Sequence, residues 1–384
     1  MFEIVETNYT DKANIKVIGV GGGGGNAVEH MIAHTIEGVD FVCANTDAQA
    51  LAKSSAPVHV QLGANLTKGL GAGADPDLGR DAADEDRDRI AEILEGTDML
   101  FITAGMGGGT GTGASPVIAE VARELDVLTV AVVTRPFPFE LGRRMTIAAA
   151  GIDELSKQVD SLIVVPNERL ISVLGRGVTL KAAFAAANDV LLGAVQGISE
   201  LIIRPGLVNV DFADVRAVMG EKGRAMMGAG RATGQDRAFE AAKKATTCPL
   251  LENVDLHGAR GILVNITADP NLGMDEYAAV GEVIESFAAP GANVITGTVI
   301  DENAGEELRI IVVATGLGLS GAASVENASN VAVLPVSGVG GEPDPVEIPS
   351  PPGPEMGVTR DPGDRNYFDI PAYLRRRTHE APRV

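Results

Sequence analysis

The chain has 384 residues, a formal net charge of −21 and 45% hydrophobic residues. That length exceeds the usual single-core limit of about 250–300 residues, so two domains and a tail are expected. The acidity argues against nucleic acid as a partner, because non-specific binding depends on basic side chains. Only Cys43 and Cys248 are present, which predicts no disulfide framework and a reducing, cytoplasmic setting. No run approaches the ~18 uncharged apolar residues needed to span a bilayer, and the amino terminus does not read as a signal peptide; direct membrane insertion is not expected.

Along the chain, residues 1–14 read as a flexible lead. Apolar strand candidates follow at Lys16 to Gly19 and Asp40 to Ala44, then Met99 to Ala104, Leu128 to Thr134 and Ser161 to Val165. Helical patterns, among them Ala83 to Leu94 and Ser115 to Leu125, alternate with them. This is the rhythm of a parallel, doubly wound α/β sheet, whose ligands bind beyond the carboxyl ends of the strands.

Three glycine-rich loops lie at such positions. The first is Gly19-Val20-Gly21-Gly22-Gly23-Gly24-Gly25-Asn26, with a helix expected to open near Asn26; the second is Gly69-Leu70-Gly71-Ala72-Gly73-Ala74. The third, Gly105-Met106-Gly107-Gly108-Gly109-Thr110-Gly111-Thr112-Gly113, carries no charge and leads into a helix expected near Ser115 and Pro116. Glycines let the backbone approach an anion closely, and the following helix adds unpaired N–H groups and the positive end of its dipole. The pattern predicts a phosphate cradle gripping one phosphate tail from several sides. The chain lacks any Gly-Lys dipeptide, so a GxxxxGK[ST] P-loop is excluded. Gly19, Gly21 and Gly24 also fit GxGxxG, and Asn45-Thr46-Asp47 ends the next strand, so a dinucleotide-binding dehydrogenase stays open on these residues alone.

A long helix is expected from Leu180 to Ile203. Beyond it, a second unit reads as helix Arg237 to Thr246, strand Gly261 to Thr267, helix Met274 to Ala288, and strands Asn293 to Ile300 and Leu308 to Thr315. Asp301 to Gly305 is turn-rich, which suggests that these last strands form an antiparallel hairpin. From Pro335 to Arg365 the chain is dense in Pro, Gly and acid, the composition of a disordered tether. Tyr367, Phe368, Ile370, Tyr373 and Leu374 then restore apolar anchors ahead of Arg375-Arg376-Arg377.

The motifs GVGGGGGNA from Gly19, NTDAQAL from Asn45, GLGAGADP from Gly69, GGGTGTG from Gly107, NVDFADVRAVM from Asn209 and DIPAYLRRR from Asp369 resemble those of the FtsZ family of bacterial tubulin homologues. The similarity runs from about Ile15 to Thr315 and resumes at the tail. It implies a tubulin-like fold: a GTP-binding domain over residues 15–179, a central helix over 180–203, a second α/β domain with a mixed sheet over 204–317, a disordered linker over 318–366 and a partner-binding peptide over 367–384.

The resemblance further implies a GTPase that polymerises head-to-tail into the ring at the bacterial division site, under the inner membrane. Its cofactors would be GTP/GDP and Mg²⁺, the metal held mainly by phosphates and water, with K⁺ as a possible monovalent ion. Nucleotide contacts carry over to Gly21, Gly22, Gly23, Gly24, Gly25, Asn26, Asn45, Asp47, Gly71, Ala72, Gly73 and to every residue from Gly105 to Gly113. Ribose and base contacts carry over to Glu140, Arg144, Asn167, Phe184 and Asn188. Read without the family, Glu140 and Arg144 form an i,i+4 surface pair and Phe184 an ordinary core residue. Pro138 stands where the family's familiar members carry Asn, which stiffens the loop before Glu140.

The glycine loops themselves hold no carboxylate that could orient a water. Asp211 and Asp214, spaced i,i+3, share a face at a helix start, where capping is the bland reading. The family implies instead that Asn209, Asp211 and Asp214 act in trans on the neighbouring subunit's nucleotide. It also implies that Tyr367, Asp369, Ile370, Pro371, Tyr373 and Leu374 dock membrane anchors and division regulators. A nucleotide-binding scaffold without hydrolysis is the remaining alternative. His30 and His34 read as a solvated i,i+4 pair.

Overall fold

A computed structural model describes residues 13–140, 142–175, 177–204, 206–221, 224–247, 258–302 and 304–317. Cys248, the linker and the tail peptide lie outside them. Seven strands run parallel: β1 (Ile15–Val20), β2 (Val39–Asn45), β3 (Val58–Gln61), β4 (Met99–Gly105), β5 (Leu128–Arg135), β6 (Ser161–Pro166) and β7 (Arg224–Ala232). With β8 (Ala259–Ala268), β9 (Ala288–Ile300) and β10 (Leu308–Leu317) they form one ten-stranded sheet of order 3-2-1-4-5-6-7-10-8-9.

The helices are α1 (Gly21–Ala33), α2 (Ala48–Leu51), α3 (Ala64–Thr67), α4 (Pro76–Glu85), α5 (Arg87–Leu94), α6 (Thr110–Glu124), α7 (Gly142–Leu155), α8 (Asn167–Leu174), α9 (Leu180–Ile203), α10 (Phe212–Met219), α11 (Arg237–Thr246) and α12 (Met274–Glu285). Strand alternation sorts them into layers. In β4, Met99 and Phe101 face α1 and α9, whereas Leu100, Ile102 and Ala104 face the α4–α7 side. A third apolar cluster joins α11 and α12 to β7, β8 and β10.

Several boundaries depart from expectation. Helix α1 starts at Gly21, not Asn26, and α6 at Thr110, not Ser115, so the glycine runs themselves form the first helical turns. The helix expected over Ala83 to Leu94 is two, broken at Asp86, whose carboxylate accepts the Gly63 N–H at 2.7 Å. Helix α12 stops at Glu285 because β9 already begins at Ala288.

The expected hairpin is absent: β9 pairs with β8, parallel, and β10 inserts between β7 and β8, antiparallel to both. The physical reason is burial. Strand β10 is apolar on both faces and requires cover from two neighbours, whereas β9 is largely exposed over its first half and tolerates an edge.

Helix α9 has the expected bounds, and the Thr179 side chain accepts from the Ala182 N–H at its start. By length and composition it could cross a bilayer. It carries Lys181, Asp189 and Glu200, however, and packs its apolar face on β5, β6, β8, β9 and β10.

Candidate functional site

The sequential path of the strands reverses between β1 and β4, and the carboxyl ends of these strands open a crevice of the kind that binds ligands in doubly wound sheets. The cleft there measures about 350 Å³. Gly22, Gly23 and Asn26 come from α1, Gly73 from the second glycine loop, and Gly105, Met106, Gly108, Gly109, Thr110 and Gly111 from the third. Glu140, Arg144, Asn167, Phe184 and Asn188 close the other side. A neighbouring hollow of about 340 Å³ shares Gly22 and Asn26 and adds Gly25, Asn45 and Asp47.

The remaining candidates, Gly21, Gly24, Gly71, Ala72, Gly107, Thr112 and Gly113, do not line either space. Several of them build its frame. Gly107 adopts φ +98°, and its N–H donates to the Thr112 hydroxyl at 2.8 Å. A Cβ at Gly113 would lie 1.9 Å from the Pro76 carbonyl, so α4 and α6 touch there through bare backbone. A Cβ at Gly108, by contrast, meets nothing within 4 Å and would project into open space. Thr134, Pro136, Ala187 and Leu191 also line the cleft and were not expected; Thr134 was findable, since it lies near the carboxyl end of β5 beside Gly105.

The chemistry of the lining suits a phosphorylated nucleotide. The first turn of α6 offers N–H groups with no partner inside the helix, in an uncharged, glycine-lined pocket. Arg144 supplies a cation and is ion-paired with Glu140, which also accepts the Phe137 N–H at 3.0 Å. Phe184 is 43% exposed; its ring meets Phe137 edge-on at 5.2 Å and leaves a face for a planar group. Asn167 Oδ1 is buried without a hydrogen-bond partner, an acceptor costly to leave unpaired and suited to a ligand N–H or O–H. Asp47 is committed to the backbone, its carboxylate accepting from Gln49 and Ala50 N–H groups at 2.8 and 3.1 Å.

The acidic pair lies elsewhere. Asp211 caps α10 and accepts the Asp214 N–H at 2.8 Å; both side chains, like Asn209, are exposed. Asn209 Oδ1 accepts the Gly206 N–H at 2.8 Å, and the Val208 N–H donates to Thr298 Oγ1 at 2.9 Å. Val210 and Leu201 converge on Gly297, which fixes this loop to the far end of α9. That end is also marked by Arg204 reaching Glu37, ahead of β2. From Phe184 at the cleft to Ile203, α9 covers about 30 Å at the standard rise per residue.

His30 Nε2 lies 2.7 Å from Asp189 Oδ1 and His34 Nδ1 the same distance from the His30 carbonyl; the described residues contain no cluster suited to a metal.

Comparison with known proteins adds an independent finding. Residues 14–175 match the Tubulin/FtsZ family GTPase domain and residues 223–318 the FtsZ family C-terminal domain. The cell division protein FtsZ of Coxiella burnetii is 58% identical over 390 residues, covering 98% of this chain and 99% of that one. The FtsZ of Pseudomonas aeruginosa is 63% identical, covering 83% and 80%. Among solved structures, an FtsZ dimer of M. jannaschii superposes with a TM-score of 0.76 at 43% identity, over 80% of this chain and 88% of that one. The CetZ2 protofilament of Haloferax volcanii, at 21% identity and a TM-score of 0.69, shares the fold.

Proposed function

The chain belongs to the FtsZ family of tubulin-like cell-division GTPases, and we propose that it hydrolyses GTP as a head-to-tail filament in which each site is completed by the next copy's Asp211 and Asp214. The observation that carries this reading is that Val210, beside the acidic pair, packs with Leu201 at the end of α9 remote from Phe184, about 30 Å of helix away. An exposed carboxylate pair at one end of the subunit and a phosphate cradle at the other cannot meet within one chain. They can meet across a translational contact, which does not close and so propagates.

The phosphates lie against the first turn of α6, Arg144 pairs with phosphate charge, Glu140 accepts from ribose hydroxyls and Phe184 stacks on the base. Asn167 and Asn188 hydrogen-bond its edge. Bound together with the nucleotide, Mg²⁺ would supply charge neutralisation at the phosphates beside the uncharged first turn of α6; K⁺ is a further candidate ion. Asp214 and Asp211 of the incoming copy orient a water, with Asn209 beside them, for in-line attack on the γ-phosphate. GDP is the leaving group, and loss of phosphate weakens the contact.

In this assignment residues 15–179 bind nucleotide, 180–203 form the central helix and 204–317 deliver the acidic loop. The peptide with Tyr367, Asp369, Ile370, Pro371, Tyr373 and Leu374 recruits membrane anchors and regulators to a cytoplasmic ring at midcell.

The test is GTPase rate against protein concentration with light scattering on the same samples. A threshold in rate that coincides with the onset of scattering is expected. A rate proportional to concentration without scattering would return Asp211 and Asp214 to helix capping.

A further inference from the structure

Thr46 joins three loops around the cleft, although it does not line it. Its Oγ1 lies 2.7 Å from Oγ1 of Thr110, the first residue of α6, and both residues are buried. Its carbonyl accepts the Gly71 N–H at 3.2 Å and the Thr67 hydroxyl at 3.3 Å, a proton Thr67 shares with the Gly63 carbonyl. The same residue therefore holds the loop that presents Leu70, which is 82% exposed.

A hydroxyl has one proton, so only one of the two threonines donates across the pair. Thr110 lines the cleft. A phosphate oxygen only accepts, so a Thr110 hydroxyl that contacts phosphate must turn its proton toward the cleft. Thr46 is then the donor to Thr110. A hydroxyl whose oxygen accepts one hydrogen bond is itself a better donor.

We propose that Thr46 is a positioning residue of this GTPase: its hydroxyl donates to Thr110, which donates to a phosphate oxygen, while its carbonyl holds the loop carrying Leu70. The first half rests on the cleft being the GTP site, and the second on head-to-tail assembly over the cleft. Phosphate binding at α6 and the position of an exposed apolar side chain are thereby set through one buried residue.

A double-mutant cycle tests it, with GTP affinity and the assembly threshold at saturating GTP as readouts. Thr46→Val is expected to weaken GTP binding about three- to tenfold, the size of a lost neutral hydrogen bond. Thr46→Ser restores it, and Thr46→Val costs nothing further in a Thr110→Val background. Thr67→Val, which removes the hydroxyl donated to the Thr46 carbonyl, raises the assembly threshold even when GTP is saturating. Unchanged GTP affinity in Thr46→Val, or an equal loss with and without the Thr110 hydroxyl, overturns the relay. An unchanged threshold in Thr67→Val at saturating GTP overturns the link to the Leu70 loop. Failure of the native chain to show any threshold would refute the filament reading instead, with the binding cycle still deciding Thr46.

Discussion

The Ser161 hydroxyl, at the amino end of β6, donates to the Met219 carbonyl at the last residue of α10, at 2.8 Å. At the other end of the same strand Asn167 enters the cleft. Arg216 adds a contact to Asp126, just ahead of β5. The helix capped by Asp211 is thus pinned to the sheet end opposite the cleft.

Replacing Asp214 by Asn therefore leaves GTP affinity unchanged while lowering turnover by about a hundredfold or more, the usual size of a group that positions or activates water. Asp211→Asn is the matching variant, because Asn caps a helix as well as Asp does. Steady-state turnover alongside equilibrium nucleotide binding checks both. Full turnover in Asp214→Asn would remove that residue from the mechanism.

Gly108→Leu and Gly113→Ala separate occupancy of the cleft from integrity of the fold. Nothing lies within 4 Å of a Cβ at Gly108, so the leucine folds and fills the nucleotide space. Its melting temperature stays native and nucleotide binding is lost. Alanine at Gly113 collides with the Pro76 carbonyl, and its melting temperature falls before binding is considered. Normal GTP affinity in Gly108→Leu would contradict the cradle.

Arg237 is buried with Glu276, which it grips through Nε and a terminal nitrogen at 2.7 and 3.2 Å, and with Asp269 at 2.9 Å. Its hydrogen bonds, opposed by burial, hold the Glu276 carboxyl below its ordinary 4.5. Asp269 is likewise lowered, first by the Asn271 amide and then by Arg237. A depressed carboxylate adds stability above its unfolded pKa and loses it as pH falls through the folded one. Thermal stability should thus fall below about pH 4.5 in the native chain and respond less to acid in Glu276→Gln. Arg237→Met, which leaves Glu276 and Asp269 without their cation, should lower the melting temperature, and the loss should shrink at acid pH.

Burial pushes the Cys43 thiol up, helped by the nearby Glu29 charge and opposed by a Ser54 hydrogen bond. Thiolate is the reactive form. In a Cys248→Ser background, alkylation at neutral pH should be slow in the folded chain and fast only in denaturant. Rapid labelling without denaturant would mean the β2 strand opens readily.

The extent to which the site was readable follows from locality. Glycine-rich runs after β1 and β4 and the bounds of α9 are short-range patterns, and the structure has them where the sequence predicts. Strand β7 was not legible. Its Arg-Ala-Met-Met-Gly-Ala-Gly-Arg-Ala run lacks β-branched residues, and it is a strand because α11 lies directly on Gly228 and Gly230, whose Cβ atoms would clash with Ala245 and Ala241. Helix α1 was misjudged for a related reason. Glycines have poor intrinsic helix propensity, yet Gly24 must be bare because a Cβ there would sit 2.3 Å from the Thr103 carbonyl.

The sequence by itself determined the family, the alternation of strand and helix, and which residue types surround the cleft, because each is written in contiguous residues. Only the tertiary structure decided that β10 enters the sheet between β7 and β8, that Thr46 meets Thr110, and that the acidic loop stands at the far end of α9 from Phe184. Those are relations between segments distant along the chain. They are fixed by which faces must be buried together, and residue spacing carries no record of that.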